Sequence, residues 1–495
     1  MAMLGTPMVG EAMMKTIKIG SRKVLALGIA CALLLPFTAA HAQSSTKKPT
    51  AREQKLEQRV NQLEQELAEL KQMIQEQKAD TAQATATAQA AQTQAQATET
   101  KVAQVAATPP PKPVFSSAPG VSVALHGFIN ASAFSQDKGF TYGNGQNAEF
   151  PIPGSAGHVN DSLTGVDVRN TRFWLDFTGA KFGGDWTGGG RIEMDFFGGF
   201  NGTGAYAQSQ PVPRLRQAYM DITNPTTGST FRIGQQWDLL FPLDMTPQSL
   251  SHIAFPLGYG TGFTGWRFSG ISWMKELNHG SDGPIWRLDL GAYGGTWSTP
   301  GSTNNYTTAG NVGFNPQYEA RLHVQDKTWL AFVAAHYSKV DLRGVDGASP
   351  TPIKSNIKST AIQAGAQWMP GNWVFKALAY AGNGIGEVFG DLSQFGDISD
   401  KGGYAQVGYK FTPNWSVYGF YSQSKPDTDD VIKWLSRGST GLLKNRQSAL
   451  SLQYTAGPYD LSLEWIHAKL DSTTNGVTRQ TTQGNEITLN GNYKF

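Results

Sequence analysis

The sequence predicts an all-β protein: a transmembrane antiparallel β-barrel of about sixteen strands, preceded by a short N-terminal α-helical coiled coil. Three observations predict this class. Apolar and polar residues alternate with period two, repeatedly, from residue 121 to the C-terminus. The connections between these stretches are alternately short and long, as in an outer-membrane barrel, whereas a soluble sandwich does not need this alternation. The N-terminus has the pattern of a secretory signal peptide.

Composition sets outer limits on the protein class. The chain has 495 residues and a formal charge of +3, so nothing in the charge balance indicates a nucleic-acid partner. The mean hydropathy is −0.34, which does not exclude a membrane barrel, because its strands turn only every second side chain toward lipid. Cys31 is the only cysteine and lies in the segment that we expect to be removed, which suits an exported protein without disulfides.

The first 42 residues are predicted to be a signal peptide. Four basic residues between Lys15 and Lys23 precede the apolar stretch Val24–Phe37, and Ala40-His41-Ala42 forms an A-x-A cleavage site. A membrane anchor is the weaker interpretation, because the apolar run is short and contains Pro36. Cleavage is therefore expected after Ala42.

Residues 43–78 are predicted to form a periplasmic coiled coil. Apolar residues recur there at alternating steps of four and three, which is the spacing of a heptad seam. These core positions are Leu56, Val60, Leu63, Leu67, Leu70 and Ile74. A single amphipathic helix lying on another surface is the alternative. Residues 79–119 follow as a low-complexity Ala/Gln/Thr and Pro-rich linker, which cannot bury a core of its own.

Residues 120–495 are predicted to form the barrel. In the stretch from Arg191 to Phe196, for example, Ile192, Met194 and Phe196 alternate with Arg191, Glu193 and Asp195. Strand starts are expected near residues 122, 169, 186, 214, 230, 266, 285, 316, 328, 358, 372, 403, 414, 446, 458 and 485. An even number of strands would place both ends of the barrel in the periplasm.

Connection lengths predict which end of the barrel faces outward. Short turns are expected at 224–228, 325–327, 370–371, 412–414 and 456–458. Long loops are expected at 134–168, 306–313, 340–357, 382–401, 424–444 and 470–483. The long loops should be external and the short turns periplasmic.

Aromatic residues mark two further features of a membrane barrel. The last strand alternates up to the terminal Phe495, which resembles the signal read by the outer-membrane assembly machinery. Aromatic residues near predicted strand ends fit an interfacial girdle. They are Trp329, Trp368, Trp373, Trp415, Tyr459 and Trp465.

Four stretches resemble one known family. TRFWLDFTG, RIEMDFFGG, RLRQAYMDI and FRIGQQWDLLFP, in this order, are similar to the DcaP-like trimeric outer-membrane porins, with the best match over Thr171–Pro242. The phosphate-selective porins of the O and P group have a similar layout. The resemblance implies a homotrimer with a periplasmic coiled coil, a sixteen-stranded barrel, and passage of small anions, dicarboxylates in particular.

The candidate site combines an arginine wall with an inward loop. Asp238–Gly262 interrupts the alternation after the fifth strand and is expected to fold into the lumen as a constriction, carrying Asp238 and Asp244. Eight arginines lie on the polar phase of the second to eighth strands, and lumen-facing arginines favour anions. They are Arg172, Arg191, Arg214, Arg216, Arg232, Arg267, Arg287 and Arg321. About half are expected to pair with wall carboxylates.

These observations predict a non-enzymatic channel. No HExxH, no paired histidines, no cysteine ligands and no GxSxG elbow occur, so we expect no catalytic residues, metal or cofactor. The predicted function is passive diffusion of small hydrophilic solutes, biased toward anions such as dicarboxylates. The alternatives are a phosphate-selective porin, and a structural or adhesive barrel whose stalk tethers it to the cell wall. Expected surroundings are outer-membrane lipid and lipopolysaccharide.

Overall fold

A computed structural model describes most of the barrel and part of the N-terminal segment. The described residues are 114–495, apart from 119, 142–144, 146–147, 200–208, 250–261, 263, 295–315, 342–353 and 355, together with most of 59–78. Two compact units divide the chain, residues 1–109 and 110–495. Each is described here by itself.

The first unit is helical wherever it is described, between residues 59 and 78. Two predicted heptad positions in this range, Val60 and Leu67, are exposed. The other heptad positions lie outside the described residues, as does the predicted signal peptide, so the coiled coil stays a prediction. None of the helices among the described residues is long and apolar enough to cross a membrane.

The second unit is a single antiparallel sheet, which has eighteen strands among the described residues. The strands are β1 (Val114–Ala118), β2 (Val121–Gln136), β3 (Leu163–Asp167), β4 (Arg172–Gly183), β5 (Trp186–Asp195), β6 (Arg214–Asn224), β7 (Ser229–Trp237), β8 (Arg267–Glu276), β9 (Ile285–Tyr293), β10 (Gln317–Gln325), β11 (Trp329–Asp341), β12 (Asn356–Trp368), β13 (Trp373–Asn383), β14 (Ser399–Lys410), β15 (Trp415–Pro426), β16 (Leu442–Ala456), β17 (Tyr459–Thr473) and β18 (Arg479–Lys494). The described parts of the connections contain one short helix, α1 (Thr428–Lys433), and three 3₁₀ turns, Leu243–Met245, Gly386–Val388 and Asp391–Ser393.

The sheet closes into a barrel with sixteen strand positions. Consecutive strands from β4 to β18 pair with each other, β4 also pairs with β2, and β18 pairs with β2. Strands β3 and β4 share one position, because β3 pairs with the second half of β2 and β4 with the first half. The predicted all-β, sixteen-stranded antiparallel barrel is confirmed. Strand β1, inside the stretch predicted as linker, adds a short pairing at the start of β2.

Alternation in the strands separates an apolar outer face from a polar inner face. On β17, Leu461 and Leu463 are 50% and 52% exposed, whereas Ser462 and Glu464 are each 3% exposed. The exposed phase carries the apolar side chains, which is the pattern expected of a barrel whose outer face meets lipid. The polar phase therefore faces the interior, where the candidate site must lie.

Connection lengths alternate around the barrel and define its two ends. The short-turn end carries residues 184–185, 225–228, 277–284, 326–328, 369–372, 411–414 and 457–458. The long-loop end carries 137–162, 196–213, 238–266, 294–316, 342–355, 384–398, 427–441 and 474–478. The expected long loop at 470–483 is wrong, because β17 and β18 stay paired up to Thr473 and Arg479. The paired ends of these two strands consist mostly of polar residues, so the apolar periodicity of the sequence does not reveal them.

Aromatic residues collect at the short-turn end, within the first or last three residues of the strands. Trp368 and Trp373 both stack on Phe375, with ring centroids 5.7 Å apart, and the rings of Trp415 and Tyr454 lie 4.9 Å apart. Trp465 was expected near a strand end and instead is the seventh residue of the fifteen in β17. The prediction failed there because β17 extends further than its apolar part.

The C-terminal residue takes part in closing the barrel. The backbone N–H of Phe495 donates to Gly127 O at 3.0 Å, and Gly127 N–H donates to Phe495 O at 3.1 Å. A Cβ atom at Gly127 would lie 2.6 Å from the Phe495 ring and 2.5 Å from the carbonyl oxygen of Arg172. The absence of a side chain at Gly127 therefore allows the terminal ring to lie across β2.

Replacing Gly127 by valine is expected to destabilise the closed barrel by about 1–3 kcal/mol, through overpacking against Phe495 and the β4 backbone. The measurement is the fraction of protein that keeps folded mobility in heated gel electrophoresis. Gly419→Val is the matched control, since a Cβ there meets no atom within 4 Å. Equal heat resistance of the two variants would contradict the proposed role of Gly127.

Candidate functional site

Seven of the eight predicted arginines lie on the inner phase of β4, β5, β6, β7, β9 and β10. Their strand neighbours on the opposite phase, such as Ile192, Leu215 and Leu322, are 42–46% exposed on the outer face. Arg267 differs. It is the first residue of β8 and lies on the outer phase, together with the exposed Ile271. Its guanidinium lies between two indole rings, 4.9 Å from the ring centre of Trp237 and 4.4 Å from that of Trp266.

Three of these arginines share two buried carboxylates. Arg214 donates to Asp195 through Nε at 3.0 Å and Nη2 at 2.7 Å. Arg216 donates from Nη1 to Asp195 at 2.7 Å and from Nε to Glu193. Arg172 lies 3.9 Å from Glu193. Three guanidinium groups thus face two carboxylates, which leaves a surplus positive charge on this part of the wall.

Arg216 owes its position to a β-bulge. Gln217 pairs with Glu193 and Leu215 pairs with Met194, so Arg216 is an extra residue on β6. A bulge turns a side chain away from strict alternation. Here it lets both Arg216 and Gln217 donate to Glu193. Arg216 is only 1% exposed, so it lies within the wall and does not line open lumen.

Arg191 and Arg232 form simple pairs on the same wall. The Nε and Nη2 atoms of Arg191 donate to Asp176 at 2.7 and 3.0 Å, and those of Arg232 donate to Asp221, both at 2.8 Å. Each guanidinium also lies over an aromatic ring, Trp174 at 5.5 Å and Tyr219 at 3.8 Å. The aspartates engage one edge of each guanidinium and leave the Nη1 edge for other acceptors.

A second charge-surplus group lies near the short-turn end. Arg287 donates to Asp289 from Nε at 2.8 Å and from Nη2 at 3.0 Å, and Arg321 donates to the same carboxylate at 3.1 Å. Arg287 and His323 line a cavity of about 410 Å³ beside the turns at 277–284 and 326–328. Both ring nitrogens of His323 lack a hydrogen-bond partner among the described residues.

The segment after β7, described over 238–249, crosses the lumen. Leu239 N–H donates to Glu319 on β10 at 2.6 Å, and Lys376 on β13 donates to Thr246 O at 2.6 Å. Further along the same segment, Gln248 exchanges two hydrogen bonds with Gln406 on β14, at 2.8 and 3.0 Å. These partners lie on strands far around the barrel from β7. Residues 250–261 of the predicted loop lie outside the described part of the chain.

Apolar side chains hold this crossing segment in place. Leu240, Phe241 and Met245 are at most 1% exposed and belong to one cluster with wall residues such as Phe332 and Tyr404. Tyr404 also donates its hydroxyl to Met245 O at 2.8 Å. Burying three large apolar side chains contributes roughly 1.5–3 kcal/mol each. The segment is therefore anchored across the barrel interior.

The two aspartates of the segment have different environments. Asp238 accepts the backbone N–H groups of Phe241 at 2.8 Å and Trp266 at 3.0 Å, so its carboxylate joins the two ends of its own loop. Burial, followed by the nearby charge of Glu319, raises the pKa of Asp238 well above its usual range. Asp244 is exposed and lines a small cavity with Arg321 and His323. Asp244 is thus the aspartate of this segment that faces an arginine.

A second inward segment, residues 384–398 between β13 and β14, is absent from the sequence prediction. Ile385 and Val388 are fully buried in the same apolar cluster as the first segment. Gly265 N–H donates to Val388 O at 2.8 Å, and the rings of Trp266 and Phe389 lie 4.7 Å apart. Apolar residues inside a predicted external loop were the signal that could have revealed it.

This second segment has an unusual backbone. Phe389, Asp391, Leu392 and Ser393 have φ angles of 64°, 55°, 54° and 61°, in the left-handed region that non-glycine residues rarely adopt. Such strain persists only where surrounding contacts impose it, and it is often found at functional sites. The two inward segments together form the candidate narrowing of the lumen, with the arginine wall beside it.

Comparison with known proteins supports the fold. No known family model matches the chain, and no curated protein matches it. Among solved structures, the outer-membrane channel DcaP of Acinetobacter baumannii is 19% identical, with a TM-score of 0.57 over 77% of this chain and 99% of that chain.

Two more distant structures also align. OmpF of Salmonella typhi in a complex with daunomycin is 12% identical, with a TM-score of 0.49 over 77% of this chain and all of that chain. The anion-selective porin of Comamonas acidovorans is 14% identical, with a TM-score of 0.48 over 76% of this chain and all of that chain. The likeness to DcaP, together with the sixteen-position barrel, shows that this chain has the fold of a DcaP-like porin.

Proposed function

We propose that the protein is an outer-membrane porin for passive diffusion of small hydrophilic solutes, biased toward anions such as dicarboxylates. The observation that carries the proposal is the surplus of guanidinium groups on one inner wall, beside segments that cross the lumen. A barrel of this size is wide enough for a water-filled channel unless something narrows it. The two inward segments supply that narrowing.

The anion bias follows from uncompensated positive charge. Arg172, Arg214 and Arg216 share two carboxylates, and Arg287 and Arg321 share one. The first group keeps net positive charge at a lumen wall, where it lowers the energy of a passing anion. In the second group, Asp244 faces Arg321 and offsets part of the surplus. Arg214 and Arg287 are the most exposed members, with side chains 25% and 28% accessible, so they are the best placed to meet a solute.

The preference for dicarboxylates rests on how the arginines are oriented. Arg191, Arg214, Arg232 and Arg287 all use Nε and Nη2 toward an aspartate. A planar guanidinium binds a carboxylate in bidentate fashion through a second edge. Several such edges along one wall suit a solute with two carboxylates. The same edges also bind phosphate, so the phosphate-selective alternative differs only in solute.

A structural or adhesive barrel is the second candidate, and one observation favours it: the apolar cluster of the inward segments fills part of the lumen. Single-channel conductance separates the two functions, because a plugged barrel would be electrically silent. The expected result for a porin is steady unitary current in a planar bilayer.

Replacing Arg214 and Arg287 together by alanine is expected to shift the reversal potential in a salt gradient toward cations, because each change removes the surplus charge of one group. The anion-to-cation permeability ratio should fall by about threefold or more, as expected when positive charge is lost from a pore wall. Succinate competition in the same bilayers should weaken as well.

Arg446→Ala is the matched control. Arg446 pairs with Asp471 at 2.9 Å and lies on the outer phase of β16, with Leu450 and Leu452. This control should keep the ion preference of the unmodified protein. An unchanged reversal potential in the Arg214/Arg287 variant would contradict the arginine-wall proposal.

We further propose the assembly and location that the resemblance implies. The protein would be exported by the signal peptide at 1–42 and would assemble in the outer membrane as a homotrimer. The helix at 43–78 would lie in the periplasm as a coiled coil. Support comes from the outward apolar phase of the strands and from the terminal Phe495 in the closing pair.

A further inference from the structure

The two inward segments meet at a buried group of ionisable side chains. This carboxylate node consists of Asp238 from the first segment, Glu387 from the second, Glu319 from β10 and His336 from β11. All four side chains are at most 6% exposed. The node therefore joins two loops and the barrel wall in a region from which water is largely excluded.

His336 connects the carboxylates of the wall and the second segment. Its Nδ1 lies 2.9 Å from Glu319 Oε1, and its Nε2 lies 3.0 Å from Ser359 Oγ and 4.0 Å from Glu387 Oε1. The other carboxylate oxygen of Glu319 accepts the N–H of Leu239. One imidazole thus stands between a carboxylate that holds the first segment and one that belongs to the second.

Glu387 accepts fewer hydrogen bonds than the other two carboxylates of the node. Its Oε1 accepts the hydroxyl of Ser338 at 2.9 Å, and its Oε2 has no hydrogen-bond partner among the described residues. A buried ionised carboxylate with an oxygen left unsatisfied is costly, whereas a protonated one is tolerated. The docked position of residues 384–398 therefore favours a neutral Glu387.

Other charges near the node compensate it only in part. Arg321 is the nearby cation of Glu319, but its guanidinium is already held by Asp289. Tyr293 also faces Glu319 and Asp238 and brings no positive charge. Three carboxylates and one imidazole in low dielectric cannot all ionise without strong repulsion. The docked arrangement must retain protons on the carboxylates.

We propose that the carboxylate node is a proton-dependent latch, which holds residues 384–398 across the lumen when protonated and releases them as its carboxylates ionise. The inference rests on the proposed channel function.

The direction of the pH effect follows from linkage. Burial raises the pKa of Glu387 above its usual value of 4.5, and it raises that of Asp238 well above 3.8. A group with a raised pKa in the docked state stabilises docking fully below its ordinary pKa, and that contribution is lost as pH rises through the raised value. Docking should therefore weaken, and the channel should widen, as pH increases from the acid range.

The test is unitary conductance of the full-length protein in planar bilayers at about pH 5, 7 and 9. Unmodified protein is expected to conduct roughly twofold more at the highest pH than at the lowest. Glu387→Gln should reduce this pH response to less than half, because glutamine cannot ionise and its carbonyl still accepts from Ser338, while Asp238 keeps its own titration. Glu319→Gln, a second neutral substitution in the node, should likewise reduce the pH response.

Glu486→Gln is the matched control. Glu486 is another buried inward glutamate, on β18 and outside the node, where it accepts from Thr488 at 3.0 Å. It should keep the pH response of the unmodified protein. A conducting channel with no pH response, or an undiminished response in both node variants, overturns the latch and leaves the porin proposal intact. An electrically silent barrel overturns both.

Discussion

Replacing Arg216 by alanine is expected to destabilise the folded barrel by about 3–5 kcal/mol, because it leaves buried carboxylates without their partner. Arg216 is 1% exposed and donates to both Glu193 and Asp195, which are 5% and 0% exposed. Removal of one member of a buried ionic group costs more than the group contributes, since the remaining charges stay desolvated. Urea-induced unfolding in lipid vesicles, followed by tryptophan fluorescence, measures the change.

Two comparison variants make this result specific. Arg214→Ala removes an arginine from the same group, but Arg214 is 25% accessible to solvent, so its loss should cost clearly less. Adding Glu193→Gln to Arg216→Ala removes one unpaired charge and should recover part of the lost stability. Similar unfolding of the Arg214 and Arg216 single variants would show that Arg216 is not the centre of the network.

Replacing residues 239–262 by a short glycine–serine connection is expected to raise single-channel conductance by about threefold, since it removes the first crossing segment. This segment brings Leu240, Phe241 and Met245 into the lumen and reaches Lys376 and Gln406 on distant strands. Conductance in symmetrical salt is the measurement, together with heated gel mobility to show that the barrel is folded.

Shortening residues 474–478 provides the control, because that turn joins β17 and β18 at the same end of the barrel. The conductance of the variant with the shortened turn should equal that of the unmodified protein. If the variant with residues 239–262 replaced folds but conducts no better than the unmodified protein, the first segment does not narrow the lumen. The second segment, 384–398, is then the next candidate for the narrowing.

The architecture of the barrel was predictable because its physical signal is local. A strand with one face toward lipid needs an apolar residue at every second position, so the stretch around Ile192 and Met194 is recognisable by itself. Most expected strand starts lie within a few residues of those observed, for example 186 and 214. The signal fails where a strand leaves the lipid, which is why the end of β17 was assigned to a loop.

The candidate site was less accessible to sequence reasoning, because it depends on contacts between distant residues. The alternation of the sequence predicts that Arg214 faces the interior. The bulge that buries Arg216 depends instead on the register between β5 and β6. The segment 384–398 crosses the lumen because Val388 and Phe389 pack against Gly265 and Trp266, far away in the chain. We expected about half of the arginines to be paired, whereas all seven on the inner phase lie within 4.0 Å of a carboxylate.

The shared orientation of the wall arginines has a consequence for transport speed. A free arginine side chain loses up to about 2 kcal/mol of rotamer entropy when it is fixed. Here Asp176, Asp195, Asp221 and Asp289 fix the guanidinium groups when the barrel folds. Under the proposed function, an arriving anion would therefore meet donors that are already ordered, and its release would free no side-chain motion. Each aspartate also offsets part of the positive charge, so a contact with an anion would be weaker than one made by an unpaired arginine, which would favour rapid passage in the proposed channel.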